Sequence, residues 1–503
     1  MSPLLDPIMT DSSRAHTIHR SVKRLLSCIW RGKTAARGAH AILDAPSSKS
    51  ASRRKRSAVP LNQHRLSLRV LAVALCCLFL GLEAPQQASA QVSTADAVCG
   101  KTAADRGIAE GDLPDIEANA AYVMGKDGTV YYGRNADEQV KIASITKVMT
   151  AILTLENTKD AEVITVGDDA ASVGQSTAGL VSGDRLTVEQ ALRGLMIPSG
   201  NDAAIALAEF VGKRLDPKTK DAQATFVAAM NKRAKELGCT STVFENPHGL
   251  DFDEWAGNMH SSAHDVALMM QHAMTFDTFR NTIASTDSWI EVTGADGTDH
   301  SHSMDAHNYL LGQDGNIGGK TGTTDDAGYC FTAAYDRDGD EVYTVVLGST
   351  TTDQRFTDTA TLADWYYGHK VTVALAAGAQ KKTANGNPLM ARVAQADWTD
   401  KTVDATLADP AQTVSVFSLA GDLKESASYE DISGTVHVGD KVGTVTIKQD
   451  GKKVAKADLV ADEEATGPNP IEWLLVKLDR LTRRIDNRPL TAESKELAAA
   501  PAV

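Results

Sequence analysis

Residues 141–153 read Lys-Ile-Ala-Ser-Ile-Thr-Lys-Val-Met-Thr-Ala-Ile-Leu. No Gly or Pro follows Ser144 in this run, and Ile145, Met149 and Ile152 recur at helical spacing. The pattern predicts that Ser144 stands in the first turn of a helix whose apolar stripe enters a core. Ser144 and Lys147 are three residues apart, so they share one face of that turn. A serine hydroxyl becomes a strong nucleophile only when a base takes its proton, and a neutral lysine one turn away is such a base. Free N–H groups at the helix start suit an oxyanion forming on the substrate. The geometry suits acyl transfer.

Ser-x-x-Lys alone is a weak signal, and it occurs again at Ser52-Arg-Arg-Lys55 within a basic stretch. Company further along the chain separates the two. Leu195-Met-Ile-Pro-Ser-Gly-Asn-Asp-Ala-Ala204 contains Ser199-Gly200-Asn201, and Gly318-Gly-Lys-Thr-Gly-Thr-Thr324 contains Lys320-Thr321-Gly322-Thr323. Taken singly, Ser199 after Pro198 is a helix stop or cap, and Lys320 is a loop lysine. Gly318–Gly322 also lacks the spacing of a phosphate-binding loop.

The ordered set S-x-x-K, S-x-N, K-T-G resembles the penicillin-binding protein and serine β-lactamase superfamily. The flanks Pro198-Ser-Gly-Asn-Asp-Ala-Ala204, Asn246-Pro-His-Gly-Leu-Asp251 and Ala327-Gly-Tyr-Cys330 are similar to the low-molecular-mass D-alanyl-D-alanine carboxypeptidases of serine peptidase family S11. The likeness spans roughly residues 110–460. It implies Ser144 as the acylated nucleophile, Lys147 as its general base and Ser199 as a proton relay. Asn201 would hold the substrate peptide, and Lys320 and Thr321 its terminal carboxylate. Gly322 and Thr323 complete the substrate-binding strand, and the N–H groups of Ser144 and Thr323 would form the oxyanion hole. Burial and a nearby cation would both favour a neutral Lys147, and in the family Lys320 is that cation. No cofactor or metal is required. The implied reaction removes the terminal D-alanine of peptidoglycan stem peptides. β-Lactams would acylate the same serine. The alternatives are a serine β-lactamase of the same fold and a catalytically inert wall-binding module.

Around these motifs the chain divides readily. Residues 1–68 form a basic leader expected to be disordered: to residue 69 there are fourteen Lys or Arg against three Asp or Glu. The apolar run Leu68–Leu82, ending at Ala88-Ser-Ala90, reads as a signal peptide over 69–90. That places the mature protein outside the cytoplasmic membrane or in the wall. Removing residues 1–90 takes away a net +10, so the formal charge of −14 becomes −24. Such acidity argues against nucleic acid as a partner.

The expected fold is α+β, a β-lactamase-like transpeptidase domain over 91–375 in which helices pack on an antiparallel sheet. Short β-rich runs follow over 389–462 and predict a small β-sandwich. Within 468–486, Ile471, Leu474, Leu475, Leu478, Leu481 and Ile485 fall on one helical stripe, with Lys477, Arg480, Arg483 and Arg484 mainly elsewhere. A helix of this kind lies in a membrane interface rather than across it, the alternative being that its stripe packs on the β domain or on another copy. Residues 487–503 are expected to be a disordered tail. His260-Ser-Ser-Ala-His264 has a metal-ligand spacing but lacks the glutamate of H-E-x-x-H, and a pair of surface histidines is the better reading. Of the mature cysteines, Cys330 is expected to be a buried thiol, and pairing of Cys99 with Cys239 is open.

Overall fold

The computed structural model describes residues 96–503; the basic leader and the signal peptide lie outside them. Seven antiparallel strands form the main sheet, in the order Lys101–Thr102, Asp96–Val98, Val130–Arg134, Ala120–Gly125, Asp340–Ser349, Gly328–Arg337, Asn316–Thr324. The hairpins from the two ends of the catalytic domain therefore meet side by side, Ala120–Gly125 pairing with Asp340–Ser349. Ala120–Gly125 is buried at every position rather than alternating. Both of its faces are covered. Tyr122 and Met124 enter the core shared with Val266, Met269 and Met270 of the helix Ala263–Ala273. Ala121 and Val123 join Phe356, Leu362 and Tyr366 of the helix Thr352–Gly368 on the other side.

The helix Lys147–Asn157 is buried over its first eight residues, so it runs through the helical core rather than along its surface. Ser144 is not in this helix. It lies in a 3-10 turn, Ala143–Thr146, that leads directly into the helix and whose entry residue Ala143 has a positive φ of 47°. The helix Val188–Met196 stops before Pro198, as its sequence predicts, and Asn201–Leu215 begins two residues after Ser199. A four-stranded sheet flanks these helices: Val163–Thr165, Arg185–Thr187, Trp289–Thr293 and Asp299–Ser303.

The C-terminal part is all β, with its own core. It pairs a six-stranded sheet with a two-stranded one, Lys370–Ala374 against Thr413–Phe417. Residues 370–374 thus belong with the β domain, earlier than the expected boundary at 375. Phe417 packs against Tyr131, Trp365 and Tyr366. Arg106 bridges the two parts, donating to Ala420 O at 3.0 Å and to Asp450 Oδ2 at 2.7 Å. The tail is a correction to the expected disorder: Lys495–Glu496 adds an antiparallel edge strand to Ala391–Ala394. The N–H groups of Leu497 and Ala498 both donate to Met390 O. An open sheet edge leaves backbone donors and acceptors unpaired, and the tail satisfies part of this one.

Candidate active site

Ser144, Lys147, Ser199, Asn201 and Lys320, spread over 177 positions of the chain, converge on one cleft. It has a volume of about 240 Å³ and is lined by Ser144, Ser199, Thr321, Gly322, Thr323 and Arg355, among others. A larger cleft of about 840 Å³, beside Glu209, Gln223 and Asn231, has no hydroxyl or thiol in its lining.

Lys147 is completely buried. Its Nζ lies 2.8 Å from Ser144 Oγ, 2.7 Å from Asn201 Oδ1 and 2.8 Å from His248 O. Burial pulls its pKa from 10.5 down to about 7, partly opposed by the negative charge of Asp202. Burial, one of the two expected causes, is therefore what lowers it. Lys320 is also buried, and its own pKa is lowered by burial first, then by the charges of Lys147 and Arg355. Its Nζ donates to Ser199 Oγ at 2.8 Å and to Thr321 O at 2.7 Å. Each lysine thus holds one serine, on opposite sides of the cleft.

Local sequence explains these placements. Asn246 Oδ1 accepts from the N–H groups of His248 and Gly249, closing an Asx turn that presents the His248 carbonyl to Lys147. The His248 ring is buried, accepts from Leu250 N–H and is held neutral, its pKa pushed down to about 3 by burial and then by Lys147. It is a loop histidine, in keeping with its sequence. Ser199 has a φ of 62°, a strained left-handed conformation for a residue with a Cβ. Asn201 Nδ2 donates to Gly174 O, which orients its oxygen toward Lys147. Asp202 accepts from the N–H groups of Ala178 and Leu180 and fixes the loop above.

Two glycines admit the Ser144 turn. A Cβ on Gly249, whose φ is +97°, would stand 2.0 Å from Ala143 O. One on Gly322 would stand 2.7 Å from Ile142 O and 3.1 Å from Ser144 N. The Lys-Thr-Gly strand therefore lies directly against the serine's own N–H because it has no side chain there. Gly322→Ala is expected to displace that strand from Ser144 and slow covalent labelling by a penicillin by about 10²-fold, the order that a misplacement near 1 Å costs. Thermal unfolding of the variant serves as the control for folding.

Several residues of the cleft were not singled out by the sequence. Arg355, nearly buried, donates to Thr323 Oγ1 at 2.8 Å and brings a permanent cation to the cleft. Its place at the start of the long helix Thr352–Gly368 gives no sign of this role. Asp202 and Ser176 also escaped notice, although Asp202 stands next to a named motif. His260 and His264 do not converge: His264 Nδ1 lies 3.0 Å from Asp137, and His260 Nδ1 lies 2.6 Å from Asn258 O. Cys99, Cys239 and Cys330 are all free, with Cys239 and Cys330 buried.

With this geometry in place, comparison with known proteins gives a consistent answer. A family model for D-alanyl-D-alanine carboxypeptidases, peptidase family S11, matches residues 108–351, and one for the penicillin-binding protein 5 C-terminal domain matches 393–466. The D-alanyl-D-alanine carboxypeptidase DacC of Escherichia coli (strain K12) is 30% identical over 384 residues, 70% of this chain and 85% of that protein. DacF of Bacillus subtilis (strain 168) is 29% identical over 360 residues, 69% of this chain and 86% of that protein. The crystal structure of a Streptomyces DD-transpeptidase aligns at 31% identity and a TM-score of 0.47, covering 51% of this chain and 98% of that one. The protein is a low-molecular-mass penicillin-binding protein. The chain belongs to the D-alanyl-D-alanine carboxypeptidase family, S11.

Proposed function

We infer that this chain is a serine D-Ala-D-Ala carboxypeptidase that trims the terminal D-alanine from peptidoglycan stem peptides through an acyl-enzyme on Ser144. The observation that carries the mechanism is the set of partners around Lys147. Asn201 Oδ1 and His248 O are acceptors, and a neutral amine has two hydrogens and one lone pair. With both hydrogens committed to these oxygens, the lone pair is left for the Ser144 hydroxyl. Lys147 takes the Ser144 proton as Oγ attacks the carbonyl of the D-Ala-D-Ala bond. The N–H groups of Ser144 and Thr323 hold the oxyanion. As the C–N bond breaks, Ser199 gives its hydroxyl proton to the leaving amine and takes back the one Lys147 removed from Ser144, so Lys147 is neutral again when water hydrolyses the ester. A β-lactam, whose ring amide presents the same carbonyl, is attacked in the same way.

Arg355 makes one end of the cleft positive, and Lys320 and Thr321 add hydrogen-bond donors there, which suits a free C-terminal carboxylate. An otherwise identical substrate ending in D-Ala-D-Ala amide should lose at least roughly 30-fold in kcat/KM, the worth of one buried charge pair. Free D-alanine, or D-alaninamide from the amide, is the quantity to measure. Equal turnover of acid and amide overturns the carboxypeptidase reading.

We place the enzyme on the outer face of the cytoplasmic membrane, held there by the helix Pro470–Ile485. Among the described residues no helix is long and apolar enough to cross a membrane. This one turns Val476 and Arg480 onto the β domain, where Arg480 donates to Ala396 O. Its opposite face leaves Ile471, Leu474, Leu475, Leu478, Leu481 and Ile485 all more than half exposed. An apolar stripe facing solvent beside Lys477 and Arg484 supports insertion into an anionic lipid interface. Leu475→Glu/Leu478→Glu is expected to release the mature protein from anionic vesicles in a flotation assay, with turnover of a soluble peptide unchanged. Wild-type protein that floats free of such vesicles at low salt sinks the idea. Deletion of residues 468–503 is a poorer test, because it also removes the edge strand Lys495–Glu496.

A further inference from the structure

On the flanking four-stranded sheet, the hairpin Trp289–Thr293 and Asp299–Ser303 carries His300 and His302 two residues apart, on one face of its second strand. Asp184, just before the strand Arg185–Thr187, meets that face and is completely buried. One of its oxygens, Oδ2, accepts from Val181 N–H at 3.0 Å, while Oδ1 has no hydrogen-bond partner. His302 Nε2 is likewise buried without one. His300 Nε2 stands 3.7 Å from Asp184 Oδ1, and His302 Nε2 stands 3.6 Å from Asp184 Oδ2. The three ligand atoms lie within 4.8 Å of one another.

A buried carboxylate beside two imidazoles ordinarily closes a hydrogen bond of about 2.7–3.0 Å. Separations of 3.6–3.7 Å are too long for that. They instead suit atoms arranged around one ion: tetrahedral bonds of about 2.0–2.2 Å put neighbouring ligands roughly 3.4 Å apart. Gly179, at a φ of +79°, leaves open the space where a Cβ would crowd His302 Nδ1 at 3.1 Å.

We propose that Asp184, His300 and His302 bind a divalent transition-metal ion, with zinc the best match. Two imidazoles and one carboxylate favour zinc, cobalt or nickel over the oxygen-seeking magnesium and calcium. The side chains of His300 and His302 are 37% and 21% exposed, so the ion can enter from solvent and keep a water as fourth ligand. The site is remote in role from the serine chemistry. It joins the turn Val181–Asp184 to the hairpin, and the segment just before that turn carries the Ala178 and Leu180 N–H groups held by Asp202. A bound ion therefore acts as a cross-link under the loop that also orients Asn201 through Gly174. It takes no part in acyl transfer.

Cobalt(II) is the probe, because a tetrahedral site gives it visible absorption that an aqueous ion lacks. Mature protein stripped with a chelator should bind one cobalt ion per chain with that spectrum, and one zinc ion should displace it. His300→Ala and His302→Ala should each weaken cobalt binding by at least about tenfold. His260→Ala and His264→Ala should leave it unchanged. Zinc at 100 times its wild-type Kd should raise the melting temperature of the wild type clearly more than that of either hairpin variant. Asp184 is buried and hydrogen-bonded, so the hairpin histidines carry the test without risk to the fold. Absence of 1:1 binding, or binding equally tight in His300→Ala and His302→Ala, overturns the proposal.

Discussion

Ser144→Ala protein should release no D-alanine above background and take up no labelled penicillin, as read by intact mass. The loss should reach about 10⁶-fold, the scale on which removal of a serine nucleophile acts elsewhere. The reason lies in what remains. Lys147 keeps its bonds to Asn201 and His248, and the N–H groups at Ser144 and Thr323 keep their backbone positions, but no atom is left to form the ester. Stability should change little, since the deleted hydroxyl is half-buried and makes one side-chain hydrogen bond, worth about 1 kcal/mol. A labelled Ser144→Ala protein with an unchanged melting temperature would assign the acylation to another residue.

Lys147→Arg should lower the acylation rate by about two to four orders of magnitude, the usual worth of a positioned base. Arginine does not deprotonate in proteins and cannot take the hydroxyl proton. The pH dependence supplies a second signature. Since Lys147 must be neutral to act and its pKa falls to about 7, acylation by the wild type should rise as pH increases through 7. Lysine is charged in the unfolded chain up to about pH 10.5, so the folded state binds fewer protons between 7 and 10.5. This residue's contribution to stability therefore grows with pH across that window. In Lys147→Met both dependences should disappear. A retained acid limb near pH 7 would assign it to a different group.

The parts of this site that could be read in the sequence are those whose chemistry is written in short spacings. Ser144 with Lys147, Ser199 with Asn201, and the glycine-flanked Lys320 are each weak alone and become legible as an ordered set, and the helix stop at Pro198 follows from its backbone. Long-range contacts left no such mark. Arg355 reaches the cleft only because the helix Thr352–Gly368 lies across the sheet from which Thr323 projects. The strand Asp299–Ser303, reading Asp-His-Ser-His-Ser, has no apolar residue, so alternation of hydrophobicity could not reveal it. Its order comes from backbone pairing with Trp289–Thr293. The tail escaped for the same reason: Lys495 and Glu496 contribute main-chain hydrogen bonds to Ala391–Ala394, and backbone pairing is indifferent to composition. The 3-10 turn at Ser144 depends on two glycines distant in sequence, Gly249 and Gly322, whose missing side chains leave room for it.

The ordered tail also alters what the exposed helix can do. Chain on both sides of Pro470–Ile485 is fastened to one sheet, through Lys452–Ala461 before it and Lys495–Glu496 after it. Such a helix is a keel rather than a mooring line. Any surface that takes up its apolar stripe takes up the β domain at a set angle, and Phe417 and Arg106 carry that angle into the catalytic domain. The reach of the cleft would then be fixed by a rigid body rather than by the swing of a slack tether, so substrates at one particular distance from the surface would be favoured over all others.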